Sequence, residues 1–152
     1  MNTSITTDLT QQAPRSPRVR LGGFAHLPRL IDKARATAND RAGVYIYGRE
    51  SLLDLQFFKF TGITPDELLA KVSEGLGDFE ILEWIHTQTP YQLLPHQIDS
   101  WSTWIEKLPG LNPQVRAWIA EFSLAQSPPR TDVGTLFEYL DLDDYVRFGG
   151  QA

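Results

Sequence analysis

The sequence of 152 residues contains no cysteine and only one methionine. The absence of cysteine excludes disulfides, thiolate catalysis and cysteine-ligated zinc or iron–sulfur sites. No run of about 18 apolar residues occurs, so we expect no membrane-spanning helix and no membrane partner. Residues 1–7 are polar and lack the basic and apolar regions of a signal peptide. Together these absences predict a cytoplasmic protein.

Motifs that would identify a cofactor or a metal are also missing. The chain has no GxxxxGK(S/T) or GxGxxG phosphate loop and no HExxH zinc motif. Its three histidines are His26, His86 and His96. Glu83 and His86 form one Glu-x-x-His motif, whereas a di-iron bundle needs two. The sequence therefore predicts no metal site and no cofactor.

Signals for helices recur along the whole chain. Apolar residues from Leu27 to Ala38 follow helical spacing, and Gly62 fits the end of a helix that Ser51 caps. Further helix starts are indicated at Thr64-Pro65, Asp78, Pro95, Asn112-Pro113 and Thr135. These signals predict one all-α domain of six or seven helices at residues 14–152, after a flexible lead-in at residues 1–13.

Two details of this fold are predicted from composition. Residues 44–47 alternate β-branched and aromatic side chains between glycines, which favours one short extended segment. No partner strand is evident, so this segment is either a strand or an irregular crossing segment. The helix from Leu52 to Thr61 is apolar on most sides, and we expect it to be the most buried element.

Charge is distributed unevenly along the chain. Residues 1–50 carry eight basic and four acidic side chains, a net charge of +4, whereas residues 51–152 carry six and fifteen, a net charge of −9. The basic end either binds an anion or pairs with the acidic remainder of the chain. Because the whole chain is acidic and has no helix-turn-helix or RNP signature, we expect no nucleic-acid partner.

The basic stretch contains a candidate anion site. Arg15, Arg18, Arg29 and Lys33 are its predicted ligand-binding residues, since guanidinium and ammonium groups bind carboxylates and phosphates. Trp104 lies off the apolar stripe of its helix and is a candidate for the pocket wall. The alternative is internal pairing of the basic residues with acidic residues near the C-terminus: Asp132, Asp141, Asp143 or Asp144.

A candidate for proton transfer lies in the same stretch. His26 precedes the first helix and titrates near neutral pH, and Tyr45 and Tyr47 would share one side of a strand. These three residues are the predicted catalytic groups. The alternative is that His26 caps the helix or bonds to the backbone, and that both tyrosines pack in the core.

Several short motifs occur in a characteristic order. They are PRSP at 14–17, LGG at 21–23, HLPR at 26–29, IDKARA at 31–36, YxYG at 45–48, FKFTGI at 58–63 and DxEILEW at 78–84. In this order, over residues 8–104, the chain resembles the bacterial family known as domain of unknown function 5069. The resemblance implies a small soluble bacterial protein, and it implies no mechanism and no catalytic residue.

Two functions follow from these observations as hypotheses. The first is the binding of a small anionic molecule that carries a carboxylate or phosphate, with cofactor-free proton transfer of the lyase or isomerase type. The second is a non-catalytic interaction or self-assembly module, such as a homodimer, in which the basic stretch docks on acidic surfaces.

Overall fold

The structure is a computed structural model, and it describes residues 7–152. This part of the chain forms seven helices and one two-stranded hairpin, and no further helix or strand. The strands are β1 (Arg20–Leu21) and β2 (Phe24–Ala25). The helices are α1 (Leu27–Ala38), α2 (Leu52–Thr61), α3 (Pro65–Val72), α4 (Asp78–Gln88), α5 (Pro95–Glu106), α6 (Pro113–Leu124) and α7 (Leu136–Arg147). The predicted mainly helical class is confirmed.

Capping residues explain where several helices begin. Thr64 and Glu67 form a reciprocal capping box at the start of α3, with the Glu67 carboxylate accepting the Thr64 N–H at 2.9 Å. Asn112 accepts the Val115 N–H at the start of α6. Ser51 precedes α2 as predicted, but its side chain makes no capping hydrogen bond. The predicted cap at Ser51 is therefore wrong in its chemistry, although the helix boundary is right.

The extended structure lies elsewhere than predicted. Residues 44–47 form no strand and instead cross the molecule as an irregular segment. The strands flank Gly22 and Gly23, with Arg20 opposite Ala25 and Leu21 opposite Phe24. Both glycines have positive φ angles, 57° and 84°, which suit a tight two-residue turn. Strands of only two residues are too short for an alternation of apolar and polar residues to appear, so the sequence pattern does not predict them.

Helix α1, rather than α2, is the most buried element. Ten consecutive residues, Leu27–Ala36, are buried, so both its apolar and its charged sides are covered. Its apolar side joins a core built around Phe24, Phe57 and Ile85, while a second core gathers around Ile119 and Phe137. Charged side chains can be buried on the other side of α1 because each has a partner of opposite charge.

The predicted flexible lead-in lies partly outside the described residues, which begin at Thr7. Within its described part, Leu9 is only 1% exposed. The Leu9 N–H donates to the Arg41 carbonyl at 2.9 Å. This portion of the lead-in is therefore packed onto the domain. No helix in residues 7–152 has the length and apolar character needed to cross a membrane.

Candidate functional site

The basic residues near the N-terminus are paired within the chain. Arg15 contacts Asp32 at 3.0 Å and Asp78 at 2.6 Å. Arg18 contacts Asp141 at 2.9 Å. The predicted alternative of pairing with the acidic C-terminal residues thus holds at Asp141, and it also holds at Asp144, which pairs with Arg29. Asp132 and Asp143 pair instead with their close sequence neighbours Arg130 and Arg147.

A cavity of about 390 Å³ lies between the loop at 44–51, the beginning of α2, and helices α1, α6 and α7. Arg29 and Lys33 line it, whereas Arg15 and Arg18 do not. The four predicted ligand-binding cations are therefore divided between the cavity and the outer surface. Apolar side chains form most of the wall: Val44, Ile46, Leu52, Leu53, Val115, Trp118, Leu136 and Leu140.

Three charged or titratable groups meet beside this cavity. Asp54, in the first turn of α2, is completely buried. Its Oδ1 atom lies 2.7 Å from the His26 Nε2 atom and 2.7 Å from the Lys33 Nζ atom. Its Oδ2 atom accepts the Gly48 N–H at 2.9 Å. One carboxylate thereby fixes the imidazole, the ammonium group and the loop that leads into α2.

The geometry of His26 leaves one ring nitrogen available. An ionised carboxylate can only accept hydrogen bonds, so the His26 Nε2 atom carries the hydrogen and Nδ1 carries the lone pair. Nδ1 is buried and has no hydrogen-bond partner within residues 7–152. The backbone of His26 is left-handed, with φ of 69°, and its side chain does not cap α1. A strained backbone and an unpaired buried nitrogen are features that cluster at functional sites.

Burial and neighbouring charges determine the protonation of this group. Burial lowers the pKa of His26 to about 4, and the charges of Lys33 and Arg29 act in the same direction, while Asp54 opposes them. Burial also lowers the pKa of Lys33, against the attraction of Asp54. For Asp54, burial alone would raise the pKa, but Lys33 and His26 hold it below the usual value. At neutral pH the imidazole of His26 is therefore uncharged, and it lies beside the contact between Lys33 and Asp54.

A second polar group lies next to the first. The Arg29 guanidinium is 2.6 Å from Asp144 in α7, and the Tyr45 hydroxyl donates to the same carboxylate at 2.8 Å. The Arg29 guanidinium also lies 5.5 Å from the centre of the Tyr45 ring. Burial, and then Asp144, raise the pKa of Tyr45. Tyr45 therefore lines the cavity as a neutral phenol that is already hydrogen-bonded.

Two predicted site residues lie outside the cavity. The Tyr47 hydroxyl donates to the Pro65 carbonyl at 2.7 Å, and its ring packs edge-on against Phe58. Because residues 44–47 are not a strand, Tyr45 and Tyr47 do not share a side. Trp104 is 46% exposed and does not line the cavity. Trp118 occupies the corresponding role, packing against Tyr139 with ring centroids 4.6 Å apart.

The comparison with known families gives one match. Residues 11–146 match the family described as a domain of unknown function, DUF5069. The chain belongs to this family. The match extends beyond the predicted residues 8–104 into α7, so it includes both sides of the cavity. A search of the curated proteins finds no match to the chain.

Metal coordination has no support in the geometry of this family member. Within residues 7–152, no group of three or more His, Cys, Asp or Glu side chains is arranged to hold an ion. His86 and His96 are exposed on α4 and α5, and His26 is committed to Asp54. The cavity is thus lined by organic side chains that offer hydrogen bonds, charge and apolar contact.

Several residues of the site were not predicted from the sequence. They are the cavity residues Trp118, Tyr139 and Arg147, and Asp54, which lies buried beside the cavity. A signal for Asp54 exists, because it is the only carboxylate in the mainly apolar helix Leu52–Thr61. A carboxylate in such a helix needs a buried partner, which indicates a polar site. No comparable signal distinguishes Trp118 from the other tryptophans, since its place depends on how α6 packs on α7.

Proposed function

We propose that this protein binds a small organic acid in the cavity and moves a proton on it without a cofactor. The observation that carries the proposal is the His26 imidazole, 1% exposed, with Nε2 fixed by Asp54 and Nδ1 unpaired. A buried histidine oriented by a carboxylate is the arrangement of a general base. The cavity volume of about 390 Å³ suits a small molecule.

In the proposed reaction, the ligand has a C–H bond beside a carbonyl group. The His26 Nδ1 atom accepts this proton, and the bonding electrons move to the carbonyl oxygen as an enolate. Asp54 holds the Nε2 hydrogen and stabilises the imidazolium that forms. Returning the proton to a different carbon completes an isomerisation, and expelling a leaving group completes a lyase reaction. Both outcomes need only residues of this chain.

The negative charge of the ligand has a specific role in this proposal. A histidine with a pKa of about 4 is a weak base at neutral pH, and the charges of Lys33 and Arg29 contribute to that low pKa. An anion bound beside His26 would offset these charges and raise the pKa towards neutrality. The base would therefore gain strength when an acid occupies the cavity. An uncharged ligand would not produce this change.

Proton exchange in deuterated water tests the proposal. A panel of organic acids with a C–H next to a carbonyl would be followed by proton NMR with the protein present. His26→Gln should slow the catalysed exchange by about 100-fold or more, since it removes the base. His96→Gln changes an exposed histidine and should leave the rate unchanged. Equal rates for wild type and His26→Gln, or no exchange with any acid that binds, would contradict the proposal.

The alternative of an interaction or self-assembly module has weaker support. It needs a free basic surface, but Arg15, Arg18 and Arg29 are each paired with carboxylates of the same chain. Light scattering at low and high salt would detect a homodimer held by charge. A cytoplasmic setting remains part of the proposal, because the chain lacks cysteine.

A further inference from the structure

We infer that the carboxylate of the ligand binds to the open N-terminus of α2, on the backbone N–H groups of Leu52 and Leu53. This inference rests on the proposed function for the position of the reacting carbon, but it concerns a separate part of the cavity. It assigns the ligand class as carboxylic acids with an apolar body, in which the reacting carbon lies close to the carboxylate.

The first turn of α2 lacks a cap that its sequence could supply. The first N–H groups of any helix have no partner within the helix. Thr64, Asn112 and Thr135 each place a side-chain oxygen on such a group at the start of α3, α6 and α7. Ser51 belongs to the same capping class, yet no side chain of the described chain caps α2.

The hydroxyl of Ser51 is instead engaged by Lys33. The Lys33 Nζ atom donates to the Ser51 Oγ atom at 3.2 Å and to the Ile46 carbonyl at 2.8 Å. It also forms an ion pair with Asp54 at 2.7 Å, so three oxygen atoms surround the ammonium group. Lys33 is 4% exposed, so this arrangement is fixed by packing. The helix end is thereby left without its own oxygen partner.

A second observation indicates that a ligand belongs at this end. Ser51, Leu52 and Leu53 line the same cavity as His26, whose buried Nδ1 atom has no partner among the described residues. The uncapped first turn of α2 and a histidine whose buried ring nitrogen has no partner within residues 7–152 therefore line one cavity. The N–H groups favour an anion, and the neutral Nδ1 atom favours a group that gives up a proton. A carboxylic acid with an acidic C–H supplies both.

Asp54 fixes the spacing between these two sites. It is the third residue of α2, and its carboxylate lies 2.7 Å from the His26 Nε2 atom. The same helical turn thus presents the N–H groups and positions the base. The apolar side of the cavity, including Trp118, Tyr139 and Leu140, would contact the remainder of the ligand.

Two carboxylates of the chain, Glu50 and Asp143, line the cavity and oppose a bound anion, and Asp143 is paired with Arg147. Glu50 is an exposed residue two positions before Leu52. Its negative charge should weaken the binding of an anion. Removing this charge with Glu50→Gln should therefore lower the Kd of an anionic ligand by several-fold, and it should leave a neutral analogue unaffected.

The experiment uses 3-phenylpropanoate as the probe and its neutral amide, 3-phenylpropanamide, as the matched control. The probe should shift the backbone amide NMR signals of Leu52, Leu53 and Asp54, and it should bind more tightly than the amide. Ser51→Asp places a carboxylate on the helix end and should raise the Kd of the probe by about tenfold. Thr64→Asp makes the same change at the start of α3 and should leave the Kd unchanged.

The results separate this inference from the proposed function. In His26→Gln, proton exchange should be lost while the probe still shifts the α2 signals. If the probe shifts these signals in His26→Gln but not in Ser51→Asp, the result supports the carboxylate site. This holds even when no proton exchange is detected. Equal binding of acid and amide would overturn the inference. So would unchanged signals of Leu52–Asp54 up to the solubility limit of the probe.

Discussion

Asp54 is at the centre of the buried polar contacts, although no motif in the sequence indicates this role. Its two oxygens accept bonds from His26, Lys33 and the Gly48 N–H, and none of its surface is exposed. Its partners are distant in the sequence, so only the fold shows which groups it serves. What the sequence does give is its isolation among apolar neighbours in α2. At this scale, the sequence indicated His26 as a candidate but missed Asp54, the residue that positions its ring.

We expect Asp54→Asn to reduce the free energy of unfolding by about 3–5 kcal/mol, because Lys33 would remain buried without its counter-charge. Urea denaturation followed by circular dichroism would measure the change. Asp132→Asn removes one partner of an exposed ion pair with Arg130 and should cost far less than Asp54→Asn, because water screens the exposed charges. Similar losses in the two variants would show that the Asp54 site contributes little to stability.

Helix boundaries were predictable where local signals act alone. Each of these boundaries depends on only a few neighbouring residues. The structure confirms the predicted caps at Thr64 and Asn112 and the predicted helix end at Gly62. At Ser51 the prediction was wrong because Lys33, 18 residues away, competes for the hydroxyl. Of the two alternatives predicted for residues 44–47, the structure has the irregular segment rather than the strand, because β propensity without a partner strand does not make a sheet.

The hairpin turn provides a prediction at the scale of an element. Gly22→Ala forces a side chain into the left-handed region and places its Cβ atom 2.5 Å from a Leu82 methyl group in α4. Gly75→Ala creates similar backbone strain, but nothing lies within 4 Å of its Cβ atom. We expect Gly75→Ala to cost about 1–2 kcal/mol, and Gly22→Ala about 1–3 kcal/mol more.

Thermal or urea unfolding of the two glycine variants would measure this difference. Equal losses would mean that Leu82 moves aside without cost, and that the hairpin does not pack tightly on α4. A larger loss in Gly22→Ala would instead show that contact between the turn and α4 helps to hold β1 and β2 in place.

Across the whole molecule, the uneven charge of the sequence is balanced by pairing between distant segments. Arg18 and Arg29 from the basic end meet Asp141 and Asp144 of α7. The sequence predicted that such pairing was an alternative to ligand binding, but it could not select the partners. Selection depends on α7 packing beside α1, which no local pattern specifies. The fold class was thus predictable, whereas the arrangement that builds the cavity was not.

The pH dependence of stability follows from the buried histidine. Because the pKa of His26 falls from about 6.5 in the unfolded chain to about 4 in the fold, the unfolded state binds a proton first as the pH drops. Keeping His26 uncharged contributes fully to the free energy of unfolding above pH 6.5. This contribution should decrease by about 3 kcal/mol between pH 6.5 and 4. Below this range the lowered pKa values of Asp54 and Asp78 add further loss.

Urea denaturation at several pH values would test this dependence. The difference between wild type and His26→Gln isolates the histidine, since other titrating groups are common to both. The slope between pH 6.5 and 4 should be clearly smaller in His26→Gln. Parallel curves for the two proteins over this range would contradict the low pKa of His26.

The ion pair between Arg29 and Asp144 joins residues 115 positions apart in the chain. During synthesis on the ribosome, Arg29 is made long before its counter-charge emerges. Until α7 is complete, Arg29 of α1 has no counter-charge from Asp144 and remains in water. Arg29 can therefore be buried only after α7 has been made. The part of the cavity wall that α7 forms is added in the same late step. A nascent chain that stalls before residue 144 would therefore lack both the counter-charge of Arg29 and the end of this wall.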